Sequence, residues 1–157
     1  MKGFNIPEAG HISVCKYPAT MNAVAGLTAV NMANYSHVDF VIALGATNAN
    51  AITYTLNYGA TSSAAGTAMA FNYYAETTAD TDILGARTAV ADTGFAAANN
   101  STSDILYVIS VDASEIPDGS NWLHVVASGA TTSTPGTCIA VLSGSRYAGA
   151  ESPTAIS

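Results

Sequence analysis

Eight short β-prone runs, cut apart by turn-rich stretches and never joined by a helical stripe, constrain this chain more than any other feature. The runs are Val24 to Met32, Val38 to Leu44, Ile52 to Tyr58, Ala68 to Tyr74, Arg87 to Ala91, Ile105 to Val111, Trp122 to Ala127 and Cys138 to Leu142. Between them lie NYGATSSAAG, AETTADTD, NNSTSD, DASEIPDGSN and SGATTSTPG, rich in residues that favour turns or tolerate positive φ. Short strands at this spacing predict an all-β fold, an antiparallel β-sandwich or a barrel. No segment sustains a 3.6-residue apolar stripe, and no tandem repeat of solenoid or propeller length is present. One or two helical turns are expected at Thr78 to Leu84 or Ser114 to Pro117, where TADTDIL and DASEIPDG carry capping residues.

The runs differ in how they distribute apolar side chains. ITYTLNY alternates, with Ile52, Tyr54, Leu56 and Tyr58 offset from Thr53, Thr55 and Asn57, as a strand with one wet face does. VDFVIALG and ILYVISV are more continuous, and the expectation is that both sit mid-sheet, buried on both faces. Residues 1–22 carry Gly3, Pro7, Gly10 and Pro18 and one short alternating piece, HISVC. They read as an extended N-terminal arm that pairs or docks elsewhere, leaving residues 23–157 as a single β domain, the usual outcome for a chain of this length.

Charge narrows the function classes. Lys2, Lys16, Arg87 and Arg146 stand against eleven acids, for a net charge of −7, so there is no basic patch to neutralise nucleic-acid phosphates or an anionic membrane surface. No apolar run approaches the roughly 20 residues that span a bilayer. A secretory signal needs an apolar stretch where this N-terminus has Asn5, Pro7, Glu8 and His11, so it reads as a mature, cytoplasmically made chain. Only 10 % of residues are charged, against roughly a quarter in an average soluble domain. Solubility therefore rests on hydroxyls and amides. Cys15 and Cys138 are either two buried thiols or a disulfide closing a very long loop, worth about 4–5 kcal/mol in the chain-entropy picture. There is no CxxC pair to suggest a metal or redox motif.

Candidate chemistry is sparse. His11, His37 and His124, set among many serines, allow a Ser-His-Asp trio by chance, but no GxSxG elbow accompanies them. SGSRY, Ser143 to Tyr147, reads as a turn closing the last strand. Asp112, Glu115 and Asp118 lie close together in VDASEIPDGSN, yet their spacing departs from a Ca²⁺ loop. A plain acidic turn, with Asp112 capping and Asp118-Gly119 reversing the chain, accounts for them. Asp80 and Asp82 read as a solvated loop. The Asn-x-Ser/Thr triplets at Asn34, Asn99 and Asn100 would matter only on a glycosylating secretory route. Tyr54, Tyr58, Tyr73, Tyr74 and Tyr107 are either core residues or a face for stacking on sugars. No phosphate-binding glycine pattern occurs. No catalytic, cofactor-binding or metal-binding residue is assigned on this basis.

Taken together, the arm, the runs HVDFVIALG and SDILYVISVDASEI, the NWLHVVASGA strand and the ending CIAVLSGSRYAGAESPTAI resemble a family of small tailed-bacteriophage structural proteins. Its members are encoded with the capsid genes and decorate or cement the head. The likeness covers most of residues 20–157 and is one of strand rhythm and loose signatures: YVISVDAS, a polar turn, a strand, then RY with a Ser-Pro-Thr-Ala tail. It implies a β-sandwich or jelly-roll-like barrel without enzymatic activity, made in the host cytoplasm and placed on the capsid surface of the virion. It further implies a homotrimer with the major capsid protein as partner. The matched positions are Arg146, Tyr147 and the N-terminal arm. Two other readings stay open: a phage tail or fibre-associated subunit, and a carbohydrate-binding β-sandwich module built on the tyrosines.

Overall fold

Two of the apolar runs pair along their whole length, His37 with Asp112 through to Leu44 with Ile105, and the rest of the structure builds outward from that ladder. The structure is a computed structural model that describes residues 6, 10–21, 27–46, 52–64, 66–76, 78, 81–97, 104–129 and 134–145. Among these residues the strands are β1 (Gly10–Thr20), β2 (Val30–Asn31), β3 (Tyr35–Leu44), β4 (Thr53–Gly59), β5 (Thr67–Met69), β6 (Phe71–Ala75), β7 (Thr88–Val90), β8 (Phe95–Ala96), β9 (Ile105–Asp112), β10 (Trp122–Ser128) and β11 (Pro135–Ser145). Single 3₁₀ turns occupy Ser62–Ala64 and Ala113–Glu115.

The strands form two antiparallel sheets packed as a sandwich. One is six-stranded, in the order β1-β11-β3-β9-β6-β7. The other is five-stranded, in the order β2-β10-β4-β5, with β8 pairing β4 beyond the end of β5. The chain crosses between sheets at Ala70, between β5 and β6. It crosses again through residues 27–29, where Leu27 N–H donates to Val125 O in one sheet and Thr28 N–H to Cys15 O in the other, both at 3.0 Å.

Alternation decides the core. Val38, Phe40, Ile42 and Leu44 of β3 and Ile105, Tyr107, Ile109 and Val111 of β9 point inward, where they meet Tyr54 and Leu56 of β4 and Leu123, Val125 and Ala127 of β10. Each large side chain buried this way stabilises the fold by about 1.5–3 kcal/mol. Phe95 of the two-residue β8 plugs one end of this core. Its ring stacks on Tyr73 at 4.0 Å and leans on Tyr107 at 5.3 Å and Tyr54 at 5.7 Å. Gly94 delivers it with φ +78°, and a Cβ there would run into the Tyr54 carbonyl.

Several expectations are corrected. β3 and β9 are the two central strands of the six-stranded sheet, but they are buried on one face only; the other face, with Val41 and Val108, is half-buried. Valine and alanine on a sheet face open to solvent give the same apolar run as double burial. The second half of the expected arm is β1, paired with β11 and anchored by buried Cys15, with Met21 buried just beyond its end. Register shifts on either side of Lys16, together with Pro18, hide its alternation. Residues 1–5, 7–9 and 22 of that arm lie outside the described residues. The run Val24 to Met32 contributes only Val30–Asn31 as strand, with 24–26 outside the described residues. The run Ala68 to Tyr74 is broken at Ala70, where the chain changes sheets. Of the expected helices, Ala113–Glu115 is one 3₁₀ turn. Thr78, Thr81, Asp82, Ile83 and Leu84 are not helical, and Leu84 instead bridges Glu76.

Candidate functional site

The densest polar cluster among the described residues follows from strand register. His37 and Asp39 are two apart on β3 and so share its outer face. Their partners on β9 are Asp112 and Ser110, which share that face in turn. His37 Nδ1 therefore lies 2.7 Å from Asp112 Oδ1, and its Nε2 lies 3.1 Å from Asp39 Oδ1 and 3.3 Å from Ser110 Oγ. The cluster continues past the strand end. Glu115 accepts a hydrogen bond from the Asp112 backbone N–H at 3.0 Å, and its other oxygen is 3.7 Å from an Arg87 guanidinium nitrogen.

Ser110, His37 and Asp112 have the residue types and spacing of a nucleophilic triad, with a second carboxylate, Asp39, added beside the imidazole. Partial burial is the largest single influence on His37 and lowers its pKa. The hydrogen bonds and charges of Asp112 and Asp39 together outweigh it and hold the ring above its ordinary 6.5. With a carboxylate near each nitrogen, the protonated imidazole can donate from both. A general base needs a free lone pair facing the serine; Nε2 faces both Ser110 and Asp39, and in the protonated ring it has none. The arrangement links β3 to β9 side chain to side chain, and when the ring is protonated it is a cation between two anions.

The other two histidines do not join this cluster. His11 packs against the Tyr35 ring at 6.0 Å, and His124 sits on β10 in the other sheet, opposite Asn57. The acidic turn is held by separate partners: Asp112 by His37 and Glu115 by the Asp112 N–H. Asp118 is exposed beside Gly119, whose φ of +81° reverses the chain. Among the described residues no three His, Cys, Asp or Glu side chains are arranged to hold a metal ion. Tyr54 and Tyr107 are buried, Tyr58 and Tyr73 are packed against the core, and Tyr74 is half-buried on the outer face of the six-stranded sheet. Ser143 to Ser145 end β11, with Gly144 at φ +64° and its carbonyl taking a 2.6 Å hydrogen bond from Ser36 Oγ. Asn34 lies in the turn before β3. Asp80, Asn99, Asn100, Arg146 and Tyr147 lie outside the described residues; Asp82 is exposed.

Beside the clamp, the outer face of the six-stranded sheet carries a belt across the strands. Val14 pairs Ile139, Ile139 pairs Val41, Val41 pairs Val108 and Val108 pairs Tyr74. The exposed large hydrophobics among the described residues fall at the two edges of this same sheet. Ile12 and Tyr17, 49 % and 74 % exposed, lie on β1; Ile83 and Leu84, 61 % and 42 % exposed, lie where the chain leads into β7. Two cavities of about 320 and 450 Å³ sit at the far end of β3 from His37 and share Ala43 and Gly45. The carboxylates of the first are tied to backbone, Glu76 to the Leu106 N–H at 2.8 Å and Asp104 to the Ala46 N–H at 3.1 Å.

The fold and this face define an antiparallel β-sandwich with a clamped, apolar-belted outer sheet. No protein-family model, curated protein or solved structure matches the chain.

Proposed function

We propose that this chain is a non-enzymatic structural virion protein that binds the outside of a phage capsid and stabilises it, as a head decoration or cement protein. The observation that carries the reading is the outer face of the six-stranded sheet. It is broad, with an apolar belt through its middle and exposed large side chains at both edges. Such a face adheres through many shallow contacts, and the Thr, Ser, Ala and Gly that fill the surrounding loops make contacts at small cost in side-chain entropy. The protein acts as a homotrimer in this reading, since three weak feet on one particle gain avidity from effective concentration. The sequence resemblance to head-decorating proteins points the same way.

The test is to add the purified chain to phage heads lacking it, measure co-sedimentation, and follow the temperature at which the heads rupture. Saturable binding with a raised rupture temperature is expected. A chain that stays in the supernatant, or binds without changing rupture, contradicts the proposal. Light scattering in solution and on particles tests the trimer, which a monomer in both settings would exclude.

A further inference from the structure

The two thiols of this chain are far apart in sequence and adjacent in the fold. In the β1–β11 ladder Val14 pairs with Ile139, but the next partner of Cys138 is Lys16, so Cys15 is the extra residue of a bulge facing Cys138. Both side chains point into the core, 3 % and 0 % exposed. Both are free thiols, close enough that Cys15 bears on the ionisation of Cys138. The bulge also turns the Cys15 carbonyl toward the Thr28 N–H, which holds the residue in place from its other side.

From this geometry we infer that Cys15 and Cys138 are a disulfide-forming site, which an oxidant of the low-molecular-weight disulfide class converts into a covalent staple between β1 and β11. The inference is independent of what the protein binds. One protein thiolate attacks a sulfur of the small disulfide, forming a mixed disulfide and releasing one small thiolate. The second protein thiolate attacks the protein sulfur of that mixed disulfide, closing the Cys15–Cys138 bond and releasing the other small thiolate. The two protein thiols lose two protons and two electrons, and the small disulfide is reduced to two thiols.

The Cys15 hydrogen bond, then burial, then the neighbouring Cys15 charge hold the Cys138 thiol well above its ordinary pKa. The closed structure therefore offers little thiolate for attack. Reaction passes through local opening of β1, an edge strand with irregular register around Lys16. Oxidation is accordingly slow in the native protein, and once made the staple suppresses the opening that allowed it.

The test incubates the purified full chain with oxidised glutathione at mildly alkaline pH and reads intact mass under denaturing, non-reducing conditions. The expected product is a monomer lighter by two hydrogens. Its melting temperature rises by roughly 10 °C and returns on adding dithiothreitol. Cys15→Ala and Cys138→Ala are expected to show neither change. Two intact thiols in the native chain, after unfolded chain under the same conditions has oxidised, overturns the inference. So does a product consisting only of glutathione adducts or interchain dimers. The wild-type mass decides the matter by itself, so a variant that fails to fold does not obscure the result.

Discussion

His37 Nδ1 of β3 and Asp112 Oδ1 of β9 meet at 2.7 Å because the two residues are register partners in the central ladder of the six-stranded sheet. The pair ties charge to fold stability, and its sign is fixed. The folded pKa of His37 lies above the 6.5 of the unfolded chain, so the stabilisation is complete below about pH 6.5 and fades as pH rises through the folded value. The His37 and Asp112 side chains are 29 % and 58 % exposed, which limits the clamp to about 0.5–1 kcal/mol. Thermal melts of wild type and His37→Gln should differ by roughly 1–3 °C near pH 6 and less near pH 9. A gap that widens with pH contradicts the clamp.

Gly94 and Gly119 share positive φ but differ in surroundings. A Cβ at Gly94 meets the Tyr54 carbonyl, whereas nothing lies within 4 Å of one at Gly119. Gly119→Ala should cost about 1 kcal/mol from backbone strain alone. Gly94→Ala should cost about 2–4 kcal/mol, because it also displaces the turn that seats Phe95. Urea denaturation compares the two, and equal losses would mean that Phe95 is not positioned by this turn.

The Tyr54 hydroxyl is buried and has no hydrogen-bond partner among the described residues. Burial, with Cys138 and Tyr107 nearby, pushes its pKa up. Removing an unsatisfied buried hydroxyl relieves a desolvation cost. Tyr54→Phe is therefore expected to leave stability unchanged or raise it by about 1 kcal/mol in denaturant melts. A loss of similar size would show that the hydroxyl is satisfied in solution.

Much of this architecture was legible in the chain. The strict alternation of ITYTLNY placed Tyr54 and Leu56 inside, and the apolar density of β3 and β9 placed them mid-sheet. What was not legible depends on non-local pairing. Nothing near His37 in sequence announces Asp112 or Ser110; HVD and SVD meet only because β3 and β9 pair antiparallel in one register, and a shift of one residue would send them to opposite faces. β8 is two residues long and exists because Phe95 fills a core gap between strands distant in sequence. The role of β1 was masked by its bulge, which breaks the alternation that would have marked it as a sheet strand. The belted outer face was hidden for a similar reason, since its belt takes one residue from each of five strands.

The exposed edges of that face yield a further prediction. Ile12 and Leu84 lie on opposite edges and are well exposed, so Ile12→Asp and Leu84→Asp should leave circular dichroism unchanged and stability within about 0.5 kcal/mol. Affinity for phage heads should fall about tenfold or more for each. Full binding by both variants would place the contact on another surface.

The most direct measurement of the central claim is the copy number of this chain in purified virions, read by quantitative mass spectrometry against the major capsid protein. A cementing protein is expected at a number comparable to the capsid protein, in a fixed ratio from one preparation to the next. A few copies per particle, or none, would contradict it.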